Sequence, residues 1–101
     1  MFTTKRPVHP GEVLREEFME PLDLSAIALA KALGVPRTRV ERVRDEKTGV
    51  TADTALRLAA YLGTSPEFWM NLQANHDLTG GRASFAAKIV PHPDLPRGAA
   101  A

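Results

Sequence analysis

The sequence predicts an all-α domain of five helices, and three observations carry that expectation. Residues 26–45 read as two helices hinged at Gly34-Val35-Pro36. Ala55, Leu58, Ala59 and Leu62 fall at i, i+3, i+4 and i+7, the clearest amphipathic stripe in the chain. No convincing strand interrupts the series.

Each element follows from local signals. Residues 1–8 show no apolar period and read as a flexible arm. Pro10 suits a first helical turn, where its missing N–H has no helical partner to lose. The first helix then runs to Met19 or Glu20, with Val13, Leu14, Phe18 and Met19 inward, and Pro21 ends it. His9 sits at its entry, where the ring can cap the helix; no companion ligand nearby favours a metal. Ser25 caps the second helix, with Ile27, Leu29, Ala30 and Leu33 as its buried side. Pro36 opens the third, which reaches about Asp45. A polar loop, Glu46 to Val50, takes its backbone freedom from Gly49. Thr51 caps the fourth helix and Gly63 stops it. Ser65-Pro66-Glu67 combines a cap, a first-turn proline and an early acid, starting a fifth helix that carries Phe68, Trp69, Met70, Leu72 and Leu78. Thr79-Gly80-Gly81 breaks that pattern, and a short extended segment near Ser84 to Val90 is the only strand-like stretch beyond it. The expected organisation is an arm (1–8), a helical domain (9–78) and a partly disordered C-terminal tail (79–101).

Composition narrows the function. A chain of 101 residues with 44% apolar residues and no cysteine forms one domain with a modest core and no disulfide or thiolate metal site. Absence of a signal-like or membrane-length apolar run fits a cytoplasmic protein. His9, His76 and His92 share no ligand spacing, so no metal or cofactor is expected. Asn75-His76-Asp77 looks catalytic, but neighbours on a helix point in different directions; a helix-terminal histidine complementing the dipole is the simpler account. No catalytic residue is assigned and nothing supports an enzyme.

The net charge of +1 conceals an asymmetry. Glu12, Glu16, Glu17, Glu20 and Asp23 face a single Arg15 near the start. Arg37, Arg39, Arg42, Arg44 and Lys47 outweigh Glu41, Asp45 and Glu46 later. The acidic segment is either a solvated helix face or a surface for a cationic protein. The basic one can meet phosphates.

The hinge gives that basic surface a geometry. Ala30 permits close crossing, Gly34 permits left-handed backbone, and Val40 and Val43 turn one side of the third helix inward. Arg37, Thr38, Arg39, Glu41, Arg42 and Arg44 stay outside, as on a helix that enters the DNA major groove. A purely structural αα-hairpin is the alternative. In the DNA-binding reading Pro36 begins the recognition helix, and Arg37, Thr38 and Arg42 approach bases or phosphates. Arg39, Arg44, Lys47 and Thr48 hold phosphates, and the amides at Ser25 and Ala26 add a neutral contact. Phe68, Trp69 and Leu72 either fill the core or pair with a second copy.

Three longer motifs resemble one family. His9-Pro10-Gly11-Glu12-Val13-Leu14-Arg15-Glu16-Glu17-Phe18 with Glu20-Pro21-Leu22 is similar to the opening of HigA-type, VapI-like antitoxins. Residues 51–58 (TADTALRL) resemble their fourth helix. Thr64-Ser65-Pro66-Glu67-Phe68-Trp69 with Asn71-Leu72-Gln73 resembles their fifth. The resemblance spans His9 to Leu78 and implies a five-helix, λ-repressor-like domain of the Xre class with a C-terminal extension. It implies an antitoxin that binds and neutralises a HigB/RelE-like, messenger-RNA-cleaving toxin. It also implies repression of their shared operon, as a homodimer on double-stranded operator DNA, away from any membrane. Ala26 stands where this class often carries a phosphate-binding glutamine, and residues 44–49 are more acidic than the usual loop. A stand-alone Xre-family repressor without a toxin is the alternative, which the neighbouring reading frame distinguishes.

Overall fold

The computed structural model describes residues 8–86 and 88–95, with side chains described for 8–82 and 88–95. Among the described residues five α-helices follow one another: α1 (Pro10–Val13), α2 (Ala26–Leu33), α3 (Arg37–Arg44), α4 (Ala52–Leu62) and α5 (Pro66–Ala86). Residues 1–7, most of the expected arm, lie outside the described residues, as do Ala87 and residues 96–101.

α1 is short because the chain widens into a π-helical segment, Leu14–Met19. The amide of Glu20 reaches back five residues to the Arg15 carbonyl at 3.0 Å. The apolar spacing explains the wider turn. Val13 and Phe18, and Leu14 and Met19, are each five apart, roughly 0.4 of a turn out of line in an α-helix. Turns closed by i→i+5 bonds bring such pairs to one side. Leu14 and Met19 are buried, and Phe18 packs against the core.

Gly11 fixes where this first segment sits. A methyl group added there would overlap the main-chain carbonyl oxygen of Val43, so α1 and α3 meet backbone against backbone. His9 sets the entry: its Nδ1 accepts the Gly11 N–H at 2.9 Å, the cap expected of it. The ring also lies edge-on to His76, centroids 4.9 Å apart, which ties this entry to α5. His76 is therefore a packing residue within α5, not the helix-terminal histidine expected.

The remaining helices are built largely as their signals predict. Ser25 Oγ accepts the Ala28 N–H at 3.1 Å, and Ser65 Oγ the Phe68 N–H at 3.1 Å. Gly34 (φ 71°) and Gly63 (φ 75°) end α2 and α4 in the left-handed region. On α2 the buried stripe is Ala26, Leu29, Ala30 and Leu33, with the i, i+3, i+4, i+7 spacing. Ile27, expected among them, is off that stripe and exposed. Ala55 and Leu58 of α4 are almost wholly enclosed. Pro36 is the N-cap of α3, one residue earlier than the helix proper.

α5 departs most from expectation. It continues through Gly80 and Gly81 to Ala86, so no break occurs there and no strand forms over Ser84 to Val90 among the described residues. Glycine weakens a helix without stopping it, and no proline intervenes between Pro66 and Pro91. Trp69 is 0% exposed, its ring packed against Phe18 and Phe68 and its Nε1–H donated to Thr64 Oγ1 at 2.7 Å. It offers no surface to a second copy, which corrects its expected place at a dimer contact. No helix among the described residues is long and apolar enough to cross a membrane.

Candidate nucleic-acid interface

α3 divides sharply into two sides. Val40 and Val43 are 4% and 2% exposed and belong to the hydrophobic core beneath the helix. Arg37, Thr38, Arg39 and Arg42 are exposed, while Glu41 and Arg44 are half-buried. Thr38, Glu41, Arg42, Asp45, Lys47 and Thr48 line one open groove of about 370 Å³. Five of these six residues belong to the surface expected from sequence. Pro36 caps the exposed N-terminal end of the helix.

Three of the four arginines on α3 have carboxylate partners. Arg37 Nε lies 3.3 Å from Glu41 Oε2, one turn along the same helix. Arg39 Nη1 donates to Asp53 Oδ2 at 2.6 Å. Arg44 forks onto Asp45, Nε to Oδ1 at 2.8 Å and Nη2 to Oδ2 at 3.1 Å. Arg42 has no ion pair among the described residues. These pairs are solvent-exposed, and exposed ion pairs exchange partners readily. Phosphate oxygens offer the same acceptor chemistry as the carboxylates. The hydrogen bonds from Arg44, and from Arg39 and then Arg57, hold Asp45 and Asp53 below the usual carboxylate range.

One residue that sequence reading left without a role, Arg15, holds the helix in place. Arg15 Nη1 donates to the Arg44 carbonyl at 2.6 Å, satisfying an otherwise unpaired acceptor at the C-terminal end of α3. Its Nη2 reaches both Glu46 and Glu16 at 3.2 Å. Glu46 occupies the left-handed region (φ 62°), while Lys47 N–H returns to the Arg42 carbonyl at 2.8 Å. The left-handed turn thus falls at Glu46. Gly49 serves a different need from the one expected: a Cβ there would lie 2.6 Å from Gln73 Oε1, which accepts the Val50 N–H.

Arg57 does for α2 what Arg15 does for α3. Its Nη1 donates to the Leu33 carbonyl at 2.7 Å and its Nε to Asp53 at 3.0 Å. Asp53 was legible as a first-turn acid and, with Arg57 four residues on, as a helical ion pair. Its bond to Arg39, fourteen residues away, has no local signal. At the other end of the hairpin the Ala26 side chain is buried, while the exposed Ser25 Oγ accepts the Ala28 N–H and keeps its own O–H to donate, so that hydroxyl and main-chain N–H groups there can meet a phosphate. Phe68 and Leu72 are half-buried against the core. No group of three or more potential metal ligands gathers among the described residues.

Comparison with known proteins places this geometry. The helix-turn-helix family matches residues 16–69. Virulence-associated protein I of Dichelobacter nodosus is 52% identical over 71 residues, covering 70% of this chain and 66% of that protein. Antitoxin HigA-1 of Vibrio cholerae is 44% identical over 90 residues, covering 87% of this chain and 85% of that one. The structure of Pseudomonas aeruginosa antitoxin HigA with the higBA promoter superposes with a TM-score of 0.82 at 43% identity, over 89% of this chain and 100% of that chain. Antitoxin GraA in complex with its operator gives a TM-score of 0.79 at 44% identity, over 91% of this chain and 96% of that chain. With these relatives alike along most of their length, the chain belongs to the helix-turn-helix family, among its HigA-type, VapI-like antitoxins.

Proposed function

We propose that the protein is the DNA-binding antitoxin of a two-gene module, repressing its own operon and neutralising a HigB/RelE-like toxin. The observation that carries the DNA half is α3 itself, fastened by Val40 and Val43 with Arg37, Thr38 and Arg42 turned to solvent. Arg37 and Arg42 read base edges, where a bidentate arginine–guanine contact discriminates by roughly 1–3 kcal/mol. Arg39, Arg44, Lys47 and Thr48, with the amides at Ser25 and Ala26, hold phosphates on either side.

One recognition helix spans few base pairs, so a homodimer presents two, about 34 Å apart on one side of the duplex. Phe68 and Leu72 remain on the face proposed for pairing, without Trp69. The exposed Glu17 and Glu20, beside Glu16, suit the basic surface of an RNA-cleaving toxin. The proposed cellular site is the cytoplasm, where operator and toxin both reside.

A mobility-shift assay tests the reading, with DNA from upstream of the protein's own gene against a random duplex of equal length. Arg37→Ala weakens promoter binding about tenfold or more and random binding little, whereas Arg44→Ala weakens both alike. Equal loss on both duplexes for Arg37→Ala removes the base-reading role. Co-expression with the neighbouring reading frame tests the toxin half: failure to co-purify leaves a solitary repressor. A monomer in sedimentation at micromolar concentration removes the dimer.

A further inference from the structure

The carboxylates on the outer side of α3 need an explanation of their own. Asp45 caps the C-terminal end of that helix, where the exposed carbonyls already carry partial negative charge. A carboxylate there opposes the helix dipole, so helix stability does not account for it. What Asp45 does make is a two-pronged bond to Arg44. Asp53, from a different helix, accepts a single bond from Arg39 on the same oxygen that takes Arg57. The two arginines so engaged are those assigned to phosphates; of the two assigned to bases, Arg37 pairs with Glu41 on its own helix and Arg42 has no ion pair among the described residues.

The geometry points to Asp45 and Asp53 as built-in stand-ins for DNA phosphates, which lower the affinity of the interface for all DNA. This rests on the DNA-binding reading above. A carboxylate and a phosphate present the same pair of acceptor oxygens to a guanidinium, so each arginine exchanges one for the other when DNA arrives. After the exchange the freed carboxylate stays beside the backbone and repels it. Both effects act on any sequence, because both concern phosphates alone. The aspartates therefore set absolute affinity and its salt dependence, and the base contacts set preference. Neutralising either aspartate adds the equivalent of one uncompensated cation facing the duplex.

The test is fluorescence anisotropy of the full chain with promoter and random duplexes between 50 and 200 mM salt. Asp45→Asn and Asp53→Asn each bind both duplexes about threefold tighter, and the slope of log affinity against log salt steepens by roughly 0.9. Glu67→Gln, the same charge change on α5, leaves both unchanged. Weaker or unchanged binding by Asp45→Asn overturns the inference, because the partners then only hold the arginines in place. Equal tightening by Glu67→Gln also overturns it, since net charge then suffices. Asp53 also holds Arg57, so a thermal melt accompanies that variant; Asp45 lies outside that network and decides the matter if Asp53→Asn unfolds. Tightening in both aspartate variants with no promoter preference in the parent supports the stand-in role and overturns the repressor reading instead.

Discussion

The two sides of α3 are held in opposite ways. On the inner side Gly11 meets the Val43 carbonyl without room for a methyl, and Val40 and Val43 belong to the hydrophobic core. No side chain fits at position 11 without moving backbone. On the outer side the ion pairs of Arg37, Arg39 and Arg44 are side-chain pairs at the surface, within reach of solvent, salt or a phosphate. On the reading proposed above, a helix that enters DNA reproducibly and yet releases it needs both: a fixed axis beneath and exchangeable charges above. The difference teaches that position and affinity are controlled by separate residues.

The largest effect comes from breaking the fixed side. Gly11→Val forces α1 off the Val43 carbonyl and costs about 3 kcal/mol, read from urea denaturation. If stability is unchanged, the backbone seat is not what holds α3. A smaller loss follows from Arg15→Met, which removes the bond to the Arg44 carbonyl but keeps most of the apolar stem. About 1–2 kcal/mol is expected, with the last turn of α3 losing hydrogen-exchange protection first.

The next prediction concerns pH. Burial, followed by the neighbouring His76, holds the His9 pKa below its ordinary 6.5. Glu46 and Asp77 oppose that shift, and Arg15 adds to it. The unfolded chain therefore takes up the proton first. Stability contributed by neutral His9 is complete above about 6.5 and is lost as pH falls from there through the folded-state pKa. Protonation also places a hydrogen on Nδ1, which must then stop accepting from Gly11. His9→Asn keeps an acceptor for the cap without titrating, so its melting temperature declines less steeply below pH 6.5. A slope equal to the parent's assigns the acid sensitivity elsewhere. The smallest expected effect sharpens the other side of the comparison: Asp45→Asn leaves the denaturation midpoint within error, while DNA affinity changes. A clear loss of stability there makes the outer pairs structural after all.

Legibility in the sequence follows the same division. Local features were readable: the caps at Ser25 and Ser65, the turn at Gly34, the stripe on α4 and the inward valines. Each depends on residues within one or two helical turns. The wide turn after α1 was written in the five-residue spacing of its apolar pairs, but that spacing was read with an α-helical period. Hydropathy favours Ile27 over Ala26 for the core, but the i, i+3, i+4, i+7 stripe takes Ala26 and leaves Ile27 exposed. α5 passes through Gly80 and Gly81 because a propensity penalty does not by itself end a helix. The anchoring roles of Arg15 and Arg57 depend on carbonyls 29 and 24 residues away, a relation that no local pattern contains.

Because Gly11 bears on a main-chain oxygen, its seat does not depend on which side chains α3 carries outward. Positions 37, 38, 41 and 42 can therefore be exchanged as a set while the mounting stays the same. On the DNA-binding reading proposed above, the protein is a holder for a replaceable reading head, and retargeting it is a matter of rewriting four letters on its outer surface.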